Sequence, residues 1–205
     1  MPTTIALLLF DGCDLLDVGG PYEVLLTANR LAQRAGDPAP FAAVPVSADG
    51  AAVTAYGGLA LGPTAALDAV TPVDVAVIPG TIDVAAALDD DALLAAVRWL
   101  TRDADLVTSV CTGAFLLAAT GRLVARRATT HHEDLEALAR RDDVGEVVAA
   151  TWVDTGDVVT AGGLSSGLAL GLHLVDRLAD RDLAVATAAQ LAYAWDPEDP
   201  SGPTG

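Results

Sequence analysis

The chain has 205 residues, enough for one domain that buries most of its apolar surface, and 52% hydrophobic residues exclude a disordered polymer. Acidic residues outnumber basic ones by 28 to 11, every basic residue is arginine, and the formal charge of −17 repels a phosphate backbone, so no nucleic-acid partner is expected. Two cysteines form no disulfide framework, the amino-terminal segment lacks the basic region of a signal peptide, and no run reaches the roughly 18 apolar residues of a membrane span; a cytoplasmic protein without a membrane partner is expected.

Short apolar β-runs alternate with helical patterns, which is the signature of a parallel sheet covered on both faces. The run 4–10 reads as a first strand, unalternating and so buried on both sides. Residues 20–36 read as a helix, with Pro21 in its first turn and Gly36 ending it. Strand 41–48 and a short β-excursion at 52–63 follow. The segment 73–80 is a strand ending in a Pro-Gly turn. The segment 89–103 is an amphipathic helix with acid at its start, as the helix dipole prefers. A central strand at 105–110 runs into a helix at 112–120. Weaker strands are expected at 145–150, 151–155 and 158–162, the last two joined through Thr155-Gly156-Asp157. Helices at 165–179 and 182–194 close a single domain spanning 1–195. The Pro- and Gly-rich residues 196–205 read as a mobile tail.

Ligands of open parallel α/β sheets bind at the carboxyl ends of the strands. That rule brings together the loop 11–20, the turn 79–83 and the junction at Cys111. A residue between a strand and an immediately following helix occupies the geometry of a nucleophile elbow. There Cys111 is expected to meet unpaired amides and the positive end of a helix dipole, which favour the thiolate; an inert buried cysteine is the alternative. In the first loop, Asp11 and Asp14 read as solvated. Asp17 lies between Leu16 and Val18 and is expected to point inward as a half-buried acid able to move protons near neutrality, or else to cap the helix near Pro21.

The stretches "FDGCDLLDVGGPYEVL", "VDVAVIPG", "SVCTGAFLLAATGRLVARRATTHH" and "TAGGLSSGLALGLHLV" resemble the ThiJ/PfpI superfamily. The likeness runs from about residue 3 to 195. It is closest to the isonitrile hydratase branch and to the sensor halves of amidase-like AraC-type regulators. It implies a flavodoxin-like three-layer α/β sandwich with a mostly parallel central sheet, similar to class I glutamine amidotransferases, and usually dimeric. It also implies Cys111 as nucleophile, Asp17 as its acidic partner, and backbone amides of Thr112, Gly80 and Thr81 as contacts to a small-molecule substrate. Thr81 stands where the family often has a second glycine. PfpI-type peptidases carry a histidine directly after the cysteine; Thr112 stands there instead, so peptide hydrolysis is not expected.

The resulting expectation is a cofactor-free hydratase that turns an isonitrile into an N-substituted formamide through a cysteine thioimidate. A silent small-molecule sensor, or a thiol-dependent stress protein acting on reactive carbonyls, are the alternatives; such relatives pair the cysteine with a glutamate, and Glu23 is available but is expected on the helix, turned from the thiol. Adjacent His131 and His132 project in different directions, so no metal site is expected, and a pocket-rim role suits His131 better. His173 reads as a satisfied core or dimer-interface histidine, and Cys13 as a plain loop thiol, with a regulatory disulfide as the alternative. Gly162, Gly163, Ser165, Ser166 and Gly167 form a turn of close backbone approach without a dinucleotide fingerprint. Trp152 and Trp195 suit either the pocket wall or the dimer contact.

Overall fold

In a computed structural model describing residues 1–62 and 64–198, the chain begins with β1 (Thr3–Leu8), α1 (Leu15–Ala35) and β2 (Phe41–Ser47). A hairpin of β3 (Val53–Thr54) and β4 (Ala60–Leu61) and the short β5 (Ala65–Ala66) lead to β6 (Val75–Ile78). Next come α2 (Val84–Asp89), α3 (Asp91–Thr101), β7 (Leu106–Val110) and α4 (Gly113–Ala119). After β8 (Arg127–Ala128), α5 (Leu135–Ala139) and β9 (Glu146–Val147), the chain closes with β10 (Trp152–Asp154), β11 (Val158–Ala161), α6 (Ser166–Leu178) and α7 (Arg181–Gln190). Of the tail expected at 196–205, residues 199–205 lie outside the described residues.

The main sheet has the order β10-β11-β7-β6-β1-β2-β5, parallel throughout except for β10 on β11. Side chains alternate between its two faces, as the strand period of two requires. Ile5, Leu7, Val75 and Val77 face one core, with α1, α6 and α7, while Ala6, Leu8, Ala76 and Ile78 face the other, with α3 and α4. Both faces are therefore dry, and this is why the central strands read as unbroken apolar runs. The molecule is a flavodoxin-like three-layer α/β sandwich.

Register positions the chemistry. Ile78 pairs with Ser109 and Ala161 with Val110, so β6, β7 and β11 end level with one another. The turn after Ile78, the elbow after Val110 and the turn after Ala161 thus meet at one carboxyl edge.

Some elements differ from the sequence expectation. The helix expected from residue 20 starts at Leu15, and its cap is Asp14, whose side chain accepts from the Leu16 amide at 3.1 Å. Pro21 therefore sits inside the helix and Asp17 in its first turn. The Asp14-Leu15-Leu16-Asp17 spacing, an N-cap with an acid three residues on, was the available signal. The strand expected at 145–150 shrinks to β9, which pairs with β8 outside the main sheet. Gly36 ends α1 in the left-handed conformation at φ 95°, as read from the sequence.

Candidate active site

Cys111 has φ +56°, a left-handed conformation that non-glycine residues occupy at a cost of about 1–3 kcal/mol. The surroundings impose it. The Cys111 amide donates to the carbonyls of Gly162 at 2.7 Å and Ala161 at 3.1 Å, and the Thr130 hydroxyl donates to the Cys111 carbonyl at 2.9 Å. Gly113 follows because nothing larger fits: a Cβ there would lie 2.4 Å from the Ile78 carbonyl oxygen. The Cys-Thr-Gly sequence is thus the steric requirement of a strand that turns into a helix against its neighbour.

Asp17 reaches the same edge from the first turn of α1 and is fully buried. The Gly80 amide donates to its Oδ2 at 2.9 Å, whereas Oδ1 has no hydrogen-bond partner among the described residues. Burial lifts the carboxyl from its ordinary 3.8 to about 7, against the opposing pull of the Gly80 amide; Asp14 raises it further and the facing Cys111 thiol lowers it. The Cys111 thiol also sits beside this carboxyl, though without a hydrogen bond of standard geometry.

The anionic resting sulfur expected from the helix dipole is overturned. Cys111 is only 8% exposed, and burial followed by the charge of Asp17 pushes its thiol up to about 12, outweighing the amides of Thr112 and Leu164 directed at the sulfur. Two elements explain the reversal. The helix α4 is short, and the acid beside the sulfur is as buried as the sulfur itself. Burial favours the protonated form of both groups, and the neighbouring carboxylate further opposes ionisation of the sulfur.

The expected substrate amides are arranged differently as well. The Gly80 amide is committed to Asp17, and the Thr81 amide donates to Thr112 Oγ1 at 2.8 Å. The Thr112 hydroxyl in turn donates to the Thr81 carbonyl at 2.7 Å, bracketing that one residue. The groups directed at the sulfur are the amides of Thr112 and Leu164. Leu164, at φ +22°, and Thr130 both lie in stretches that carry the family resemblance, yet neither was singled out in the sequence, because only the fold brings their segments to the elbow.

The remaining candidates fall around this center. Cys13 is a free, fully buried thiol that forms an antiparallel bridge with Thr81. Glu23 is exposed on α1 and accepts from the Thr27 hydroxyl, so it is turned away from the sulfur. His131 lines a cavity of about 410 Å³ with Thr130, Gly162, Gly163, Leu164 and Ser165. Gly163 makes room for it, because a Cβ there would lie 2.3 Å from the imidazole Cδ2. The expectation that His131 and His132 diverge is corrected: their ring centroids are 4.3 Å apart, and a nitrogen of each lies within 4.8 Å of a Glu133 oxygen. The tight 3₁₀ turn over His132–Asp134 folds the pair together. His173 is 2.8 Å from Asp154 Oδ2 and stacks on buried Trp152, while Trp195 packs against the α1/α6/α7 core.

The fold and the site define a class: an α/β sandwich with a buried cysteine on a strained strand–helix elbow and a buried acid from the first helix. A family model for the DJ-1/PfpI family matches residues 3–177. The chain belongs to that family. It is 33% identical over 205 residues to the isonitrile hydratase of Pseudomonas putida, covering 98% of this chain and 83% of the relative. A ThiJ/PfpI family protein from Pseudomonas syringae superposes with a TM-score of 0.81 at 28% identity, covering 98% of this chain and 79% of that one. An AraC family transcriptional regulator from P. putida shares the fold, with a TM-score of 0.72 at 24% identity over 93% of this chain and all of that one.

Proposed function

We propose that the protein is a cofactor-free isonitrile hydratase, with Cys111 as nucleophile and Asp17 as proton carrier. One observation carries this reading: a fully buried carboxyl with an unpartnered oxygen beside the elbow cysteine, its pKa near 7. An isonitrile needs a proton and a nucleophile on the same terminal carbon, and a thiol–carboxylate pair holding one proton supplies both. The likeness to the P. putida isonitrile hydratase over nearly the whole chain supports the same assignment.

The steps balance as follows. As sulfur attacks the isonitrile carbon, the thiol proton passes through Asp17 to that carbon, and the product is a thioimidate, R–N=CH–S–Cys111. Asp17 then takes a proton from water as oxygen adds to the carbon, and the nitrogen is protonated. The tetrahedral adduct collapses by breaking the C–S bond, the sulfur regains a proton, and R–NH–CHO leaves. The net reaction consumes one isonitrile and one water. The amides of Thr112 and Leu164 are aimed at the sulfur, where charge grows when the C–S bond breaks.

The test is formamide production from an alkyl or aryl isonitrile, followed by mass spectrometry. Cys111→Ala is expected to lower turnover about a thousandfold or more; retained production by that variant removes Cys111 from the reaction. The reactive-carbonyl alternative is disfavoured by the solvent-facing Glu23. The low exposure of Cys111 favours a second reading, a ligand sensor; the absence of turnover with both an isonitrile and methylglyoxal would select it. The same proposal includes a small-molecule substrate and a homodimer.

A further inference from the structure

The turn that holds Asp17 is itself held by a side chain that the proposed chemistry does not use. Thr81 is 8% exposed, and its hydroxyl donates to the Gly12 carbonyl at 2.9 Å. Gly12 stands at φ +83° in the loop between β1 and α1, and its own amide donates to the Thr54 carbonyl at 2.8 Å. The next residues extend the seam: Cys13 bridges Thr81, and the Asp14 amide donates to the Gly80 carbonyl at 2.9 Å. On the opposite side the Thr112 hydroxyl brackets the Thr81 amide and carbonyl. One threonine is therefore clamped between the loop that launches Asp17 and the elbow that carries Cys111.

The space around this turn is tight. A Cβ on Gly80 would lie 2.5 Å from Thr112 Oγ1 and 2.9 Å from Asp17 Oδ2, so small displacements of the turn bear directly on the carboxyl. The amide of Gly80 is the one hydrogen-bond donor to Asp17 among the described residues. A shift of the turn away from the loop would lengthen that bond and weaken the backbone donor that opposes the effect of burial on the acid.

We infer that the Thr81 hydroxyl is a positioning group: its bond to the Gly12 carbonyl draws the 80–81 turn onto the loop before α1 and so keeps the Gly80 amide on Asp17. A glycine at position 81 would keep the backbone bridge to Cys13 but lose this latch. The inference concerns the acid–thiol pair and holds whatever the substrate is.

The test reads the pair without a substrate. The rate of Cys111 alkylation by iodoacetamide is followed against pH by peptide mass spectrometry on the full chain. Ionisation of Asp17 produces a step in the wild-type profile, and Asp17→Asn removes the step. With Thr81→Val the hydroxyl is lost, Asp17 loses part of its amide support, and the step is expected to move upward by about half a pH unit, equivalent to a roughly threefold change in the ionised fraction on its lower limb. Thr81→Ser, which keeps the donor, is expected to restore the wild-type midpoint. Thr81→Ala carries the same expectation as the valine variant and serves if valine does not fold. A midpoint unchanged in Thr81→Val and Thr81→Ala, or a serine variant shifted as far as they are, overturns the inference. Failure of isonitrile turnover leaves this measurement intact, so the two readings fail separately.

Discussion

The carboxyl of Asp17 has no exposed surface and a single amide donor, so its ionisation opposes folding. Its pKa is about 7 in the folded chain against an ordinary 3.8, and so the folded state keeps a proton that the unfolded chain releases between those values. Stability from this group is full below about pH 4 and is lost as pH rises through 7. Asp17→Asn abolishes the titration, while its side-chain oxygen can still accept from the Gly80 amide. Relative to wild type, the variant is expected to gain on the order of 2–3 kcal/mol between pH 5 and pH 8. Urea unfolding at the two pH values measures it, and an equal difference at both would mean that the acid is not buried as described. The same residue shows what sequence alone conveys. Its inward direction was legible from the apolar neighbours Leu16 and Val18, and its role beside Cys111 from the resemblance. Its pKa partners were not, because Gly80 lies 63 positions away. The charge state of Cys111 was misjudged for a related reason: local sequence reveals a helix start but hides the depth of burial.

At the scale of elements, the strands that build the site were readable because burial on both faces leaves an unbroken apolar run, as in β1, β6 and β7. Short strands such as β5, β8 and β9 escaped or were misplaced, since two residues carry no periodicity. The start of α1 was placed five residues late because Pro21 reads as a first-turn residue, whereas Asp14 is the side chain that satisfies the first free amide. The junction of β7 and α4 permits a direct steric test. Gly113→Ala pushes a methyl group toward the carbonyl oxygens of Ile78 and Pro79, at 2.4 and 2.8 Å, and these are backbone atoms of a central strand and its exit. The substitution is expected to cost about 2 kcal/mol, near the middle of the range for overpacking, and to appear as a lower urea midpoint at unchanged slope. An unchanged midpoint would show that α4 does not approach β6 so closely.

For the molecule as a whole, no helix among the described residues is long and apolar enough to cross a membrane. Four of the exposed apolar side chains lie on or next to the segments that form the carboxyl edge. Leu15 and Leu16 follow Asp14, Tyr56 donates its amide to the Cys13 carbonyl, and Ile82 adjoins Thr81, with exposures of 41–62% across the four. These positions lie on the same seam of backbone contacts and rim the site, a distribution that marks interaction surfaces. The proposed homodimer would bury them. Light scattering coupled to size exclusion is expected to give twice the 20.8 kDa chain mass, falling to the single mass in Ile82→Asp; a monomeric wild-type protein would remove the dimer from the proposal.

The order of strands and helices, the elbow at Cys111 and the doubly covered sheet were determined by the sequence itself, because hydrophobic period, glycine placement and chain order are local properties. Tertiary structure decided which amide holds Asp17, that Thr112 and Thr81 brace one another, and that burial opposes ionisation of the sulfur. Those outcomes depend on contacts between segments 31 to 69 positions apart and on how much water the packed layers exclude, and neither quantity is written along the chain.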